Sequence, residues 1–182
     1  MKQVTRMKTR DVAFPFRMGA GFSGDVNRTH PASIEPCLVD SAAPPASFGQ
    51  AVLIDPTTQG ARPFTTGDAA GAAYGVTVRP YPFQQSSGNN YGAAAIGGAT
   101  PPAGVIDILR SGYIMVQVNL GQTAPVKNGA VYVRVAATSG NHIIGQFETA
   151  ADGTNNVLVT NANFQGGMDA SGVAEIFITP AN

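Results

Sequence analysis

Three glycines, Gly19, Gly21 and Gly24, spell G-x-G-x-x-G, the spacing that lets a dinucleotide pyrophosphate approach the amino terminus of a helix. That chemistry needs a buried strand before the glycines and a helix after them. Here Phe14-Pro15-Phe16-Arg17 precedes them, and residues 25–31 show no helical pattern and end in Pro31. The context therefore rejects a nucleotide site, and the glycines read as a hinge, since glycine supplies backbone freedom where no side chain is used.

Other reactive side chains are scattered rather than convergent. His30 and His142 are the only histidines, with no H-x-x-H or C-x-x-C pair beside them, so the sequence specifies no metal centre. Ser23, in Gly-Phe-Ser-Gly, lacks the G-x-S-x-G spacing and the flanking strand of a nucleophile elbow. Carboxylates on separate strands, such as Asp107 and Glu148, could meet as an acid/base pair, but their sequence positions do not require it. Cys37 is the lone cysteine, so the chain forms no internal disulfide. The expectation is a protein without catalytic residues, cofactor, metal or small-molecule substrate.

The elements that would position any site are strands. Short β-branched runs alternate with Gly, Pro, Asn and Asp clusters at 51–54, 76–79, 105–110, 113–120, 131–135, 143–147, 157–159 and 174–179. Val116, Val118 and Leu120 alternate with Gln117 and Asn119, and Val131, Val133 and Val135 with Tyr132 and Arg134, the period of strands with one buried face. Lys127-Asn128-Gly129 supplies a tight turn before 131–135, and Ser139-Gly140-Asn141 one after it, which predicts consecutive hairpins. The fold expected is all-β, an antiparallel sandwich or barrel of jelly-roll type with an extended N-terminal arm. Residues 1–24 form the arm and glycine hinge, and 25–182 a single β domain, a length that buries about 70% of the unfolded chain's surface. Arg79 and Arg110, closing two apolar strands, are expected to pair with acidic residues of this body or of a neighbour, the intrachain pairing being the more common outcome.

Charge separates the arm from the body. Charged residues make up only 12% of the chain, about half the ordinary 25%, so much of the surface is small and easily desolvated. The net charge is zero, which argues against general binding to nucleic acid. Yet Lys2, Arg6, Lys8, Arg10, Arg17 and Arg28 against Asp11 and Asp25 give residues 1–28 a net +4, leaving −4 on the rest. A second unusual stretch, 82–104, holds no charged residue and carries Phe83, Tyr91 and Ile96 among Gly, Ala, Ser and Asn. A loop that long is commonly functional, and it reads as a contact loop. The apolar run 12–16 is too short for a signal-peptide core and no run could span a membrane, so the chain is expected to be made and used in a cytoplasm.

Taken in order, a series of short features resembles the cement, or decoration, proteins of tailed-bacteriophage capsids across roughly 22–178. They are Gly24-Asp25-Val26-Asn27-Arg28, Ile34-Glu35, Phe48-Gly49 before Ala51-Val52-Leu53, Gly75-Val76-Thr77-Val78-Arg79, Gly112-Tyr113, Val131-Tyr132-Val133-Arg134 and Ala174-Glu175-Ile176-Phe177-Ile178. The resemblance implies a β body on the virion exterior that bridges adjacent major capsid protein subunits, self-associates on the shell, and acts by adhesion alone. The arm and the 82–104 loop depart from the family pattern. Their candidate contact residues are Lys2, Arg6, Lys8, Arg10, Phe14, Phe16, Arg17, Phe83, Tyr91 and Ile96. The competing reading is a carbohydrate- or receptor-binding domain stacking sugars on Tyr81, Phe83 and Tyr91, against which the absence of tryptophan counts.

Overall fold

A computed structural model describes residues 21–26, 28, 31–80, 104–136 and 140–181. Nine strands follow in order: β1 (Ser33–Leu38), β2 (Ala51–Ile54), β3 (Ala61–Pro63), β4 (Gly75–Thr77), β5 (Val105–Gln117), β6 (Ala130–Arg134), β7 (Phe147–Glu148), β8 (Asn156–Phe164) and β9 (Val173–Ile178). The fold is all-β, and among the described residues each strand pairs with its neighbours antiparallel, with only isolated bridges running parallel. The extended arm lies outside the described residues.

One curled sheet runs β3-β2-β4-β5-β9-β8-β6-β7, with β1 added on β5. The long β5 belongs to both halves of it. Its first part pairs with β1 and β4, its second with β9. The first half curls until Val39, just beyond β1, bridges Ala61 of β3, and the second until Phe147 of β7 bridges Val118, just beyond β5. Closure of this kind leaves few open edges.

The halves can share one strand because β5 contains a bulge. Ser33 opposes Ser111 while Ile34 opposes Leu109, so Arg110 is an extra residue. One extra residue exchanges the two faces of a strand. Ile106 and Ile108, before the bulge, join Val52 and Ala61 in a small core. Leu109 and then Ile114, Val116 and Val118 join a larger one with Val76, Val131, Val133, Phe147, Val159, Phe164, Ile176 and Ile178. Each such side chain contributes roughly 1.5–3 kcal/mol by burial. Gly112 completes the bend at φ +134°.

The bulge also corrects the sequence reading, in which Ser111-Gly112 separated two strands: 105–110 and 113–117 are one element. The expected hairpin between 113–120 and 131–135 does not form, because β5 lies beside β9 and β6 between β8 and β7. The loop from Val118 to Gly129 is long enough to carry the chain past two strands. β6 and β7 do pair as expected, and Asn128 takes the positive φ of 61° that the Asn-Gly turn requires. Most of 143–147 is turn, with Ile143 and Ile144 exposed, and Leu120 is exposed rather than in the core.

Candidate functional site

All ten arm and loop residues expected to make contacts (Lys2, Arg6, Lys8, Arg10, Phe14, Phe16, Arg17, Phe83, Tyr91 and Ile96) lie outside the described residues, as do Tyr81 and His30. What the structure places is the body that would present them. Three of its features bear on function.

The first is the root of the arm. Gly24 donates its N–H to the Met115 carbonyl at 2.7 Å, Met115 donates to the Asp25 carbonyl at 3.0 Å, and Arg79 donates to the Gly24 carbonyl at 2.9 Å. The root thus adds a short rung to β5. A Cβ on Gly24 would stand 2.8 Å from Cβ of Phe48, and its φ is +91°, so glycine here serves close approach. Arg79 lies over the Phe22 ring at 4.6 Å. Four residues on, the Arg28 Nε donates to Glu175 at 2.7 Å, a second guanidinium nitrogen meets the other carboxylate oxygen, and the same group stacks 4.3 Å over Tyr113. Tyr113 in turn packs on Phe177, its register partner on β9. The hydrogen bond that the Arg28 guanidinium donates to Glu175 raises the guanidinium's already high pKa.

The second feature is a polar cluster at the seam where the second half closes. Glu148 of β7 is 1% exposed and Arg134 of β6 2%. Glu148 accepts hydrogen bonds from His142 Nδ1 at 2.7 Å, Asn119 at 2.9 Å and Asn156 at 2.6 Å, with Arg134 3.5 Å away. Arg134 also pairs with Asp152 and donates to the Ala136 carbonyl at 2.7 Å. Burial pushes the Glu148 carboxyl up, but the bonds from His142, Asn156 and Asn119 outweigh it and hold it below its ordinary value. Arg134 was expected to face out; instead the turns around 142–152 cover it. His142, Glu148 and Asp152 present ligand atoms within 4.8 Å of one another. The Arg134 guanidinium already supplies the positive charge there, so the group reads as a closing clamp. The Asp107–Glu148 meeting that the sequence left open does not occur: Asp107 is exposed on β5, and the partners of Glu148 are those just named.

The third is a bare strip on the first half. Cross-strand partners share a face, so Ile34, Pro36 and Leu38 of β1 lie beside Leu109, Asp107 and Val105 of β5. Leu109 is covered by the second half, whereas Leu38 is 60% and Val105 53% exposed, and Ile34 is exposed as well. Below the strip Arg110 pairs with Glu35 at 2.9 Å and stacks 3.6 Å over Tyr74, the intrachain pairing expected of it. The Tyr74 hydroxyl and the Arg110 guanidinium hold the Glu35 carboxyl below its usual value.

Among the described residues, these arrangements bring together ion pairs, hydrogen bonds and packing contacts rather than a convergent nucleophile, acid and base. A family model described as the XM1 gp53 minor capsid protein matches residues 13–178. The chain belongs to the XM1 gp53 minor capsid protein family. Among solved structures, a chain from the capsid of Myoviridae phage XM1 shares the fold at a TM-score of 0.62 and 15% identity, covering 94% of this chain and 98% of its own. No curated protein sequence matches. As a minor capsid protein, the chain is a structural component of a phage virion, associated with its capsid.

Proposed function

We propose that this minor capsid protein is a cement: it binds the outer surface of the shell and bridges neighbouring major capsid protein subunits. The observation that carries this reading is a tightly closed β body that nevertheless exposes large apolar side chains, Leu38 and Val105 on one strip and Leu120, Ile143 and Ile144 near the other closing seam. Such surfaces are cheap to desolvate and commonly mark protein contacts. Among the described residues the surface carries no catalytic constellation, and the family is one of structural capsid proteins.

In this reading the body supplies a rigid platform, and the basic arm with Phe14 and Phe16, together with Phe83, Tyr91 and Ile96, reaches across joints in the shell. Ordering a tail costs about 1–2 kcal/mol of backbone entropy per residue, so buried aromatics and backbone hydrogen bonds must add to the charges. Many copies on one particle turn a modest contact into a large gain in shell stability. Deleting residues 2–17 is expected to lower occupancy on purified particles while thermal unfolding of the free protein stays cooperative. Undiminished occupancy would refute the arm's part in binding. No observation on the body favours sugar stacking, whose three aromatics lie outside the described residues.

A further inference from the structure

Two charges on the body are answered by nothing in it. Among the described residues, Asp107 and Lys127 are the only Asp, Glu, Lys or Arg whose side chain has no ion pair, hydrogen bond or ring contact, and both are exposed. The others are held in ion pairs, by backbone N–H groups or, for Arg79, over the Phe22 ring. Each of the two also sits beside exposed apolar side chains. Asp107 shares a face of β5 with Val105 and lies opposite Pro36 of β1, while Leu38 lies opposite Val105. Lys127 follows Val126, which at 68% is the most exposed large hydrophobic side chain among the described residues. The Lys127 end is a rigid projection. Gly129 donates its N–H to the Val126 carbonyl at 2.9 Å, which closes a tight turn with Asn128 at a φ of 61°. Asn128 donating to the Phe164 carbonyl at 2.7 Å, and Phe164 to the Gly129 carbonyl at 3.0 Å, pin that turn to β8. A projection fixed in this way loses little conformational entropy on binding.

We infer that the Val126–Lys127 turn of one copy docks on the Leu38, Val105 and Asp107 strip of a second copy, setting Lys127 against Asp107 and Val126 on the apolar side chains. The complement of each surface is thus carried by the chain itself: one unpaired charge of each sign, each with apolar area beside it. Both surfaces are fixed on one closed sheet, the turn by β8 and the strip by the pairing of β1 with β5. That frame keeps the two charges apart within one copy, so they meet only between copies. The uncharged stretch 81–103, which enters β5 beside Val105, supplies no cation for Asp107. Because the turn and the strip are different patches, the contact is head-to-tail. Each docking leaves one turn and one strip open to further neighbours, the arrangement that closes into rings or continues across a surface.

The inference does not depend on the cement reading and is tested without capsids. In sedimentation velocity of the full chain at low salt, Asp107→Lys and Lys127→Asp should each weaken self-association about fivefold, and the double swap should restore most of it. Unfolding temperatures should stay at the wild-type value, because neither side chain lies in a core. Wild-type protein that remains monomeric up to millimolar concentration, or a double swap no stronger than the single variants, would overturn the inference. As a direct readout, natural-abundance and ¹⁵N protein would be mixed, treated with a zero-length carbodiimide cross-linker and mapped by mass spectrometry. The expected product joins Asp107 to Lys127 in mixed-isotope pairs. Products confined to same-isotope pairs, or joining Asp107 to Lys2 or Lys8 in place of Lys127, would refute it, the latter by seating the arm on the strip. Failure to bind capsids with self-association intact would count against the cement reading alone.

Discussion

From Tyr113 to Gln117, β5 is covered on both faces: its inward residues Ile114 and Val116 are fully buried, and the arm root with Arg28 lies across its outer face, leaving Tyr113 and Gln117 half-buried. From Val105 to Asp107, the same strand carries its inward Ile106 into a small core and leaves its outward residues bare. Both stretches pair with neighbouring strands, so the difference is not one of secondary structure. It arises at the bulge, where Arg110 is inserted and the faces exchange. The lesson is that one strand can anchor the body at one end and present a contact surface at the other, with rigidity carried from the first to the second.

The sharpest way to break the covered half is to open its seam. Glu148→Ala removes the acceptor of three side chains and leaves the buried Arg134 with only the half-exposed Asp152 as an acidic partner. Removing one partner of a buried pair costs about 3–5 kcal/mol, and denaturant unfolding should show a loss of at least 3 kcal/mol. A loss under 1 kcal/mol would mean that Asp152 alone suffices to hold Arg134.

A smaller effect is expected at the arm root. Gly24→Ala places a Cβ 2.8 Å from Phe48 at a positive φ, and a strained backbone of this kind costs about 1–3 kcal/mol. If the root were a free hinge, this substitution would have almost no effect on melting. Hydrogen exchange at the Met115 amide gives the local readout, with faster exchange expected in the variant.

Acid should act through the paired carboxylates. The hydrogen bonds from the Arg62 guanidinium hold Asp68 at about 2, against an ordinary 3.8, and Glu35, Glu148 and Asp152 are also depressed. Between those values the unfolded chain takes up protons that the folded one refuses. The contribution of Asp68 is therefore complete above pH 4 and is lost as pH falls toward 2. Asp68→Asn should flatten that part of the stability profile, measured by denaturant unfolding at stepped pH. An unchanged slope would dissociate Asp68 from acid sensitivity. The smallest effect belongs to the bare strip: Val105→Lys should change stability by no more than about 0.5 kcal/mol while altering association.

Much of this fold is legible in residue order. The alternation of Val131 and Val133, the run Ala174–Ile178 and the Asn128-Gly129 turn each announce their structure locally. What was not legible depends on distant partners. Ser111-Gly112 looks like an interruption, and only pairing with Ser33 and Ile34 makes it a bulge. β1 carries Pro36 and weak alternation, so nothing local marks it as a strand. Arg134 sits at an alternating polar position and reads as solvated, yet Glu148 and Asp152 bury it. The polar clamp gathers Asn119, Arg134, His142, Glu148, Asp152 and Asn156 from several elements, a convergence that no spacing in the chain displays. The bare strip was hidden for the same reason: Val105 and Leu109 are equally apolar, and only the second half of the sheet covers one and not the other.

The most direct test of the central claim is a saturation binding measurement on capsids assembled without this protein, followed by heating or osmotic shock of the particles. The cement account predicts binding that saturates at a fixed number of copies and raises the temperature at which the shell breaks. Folded protein that binds no capsid form, or binds without any change in particle stability, would contradict it.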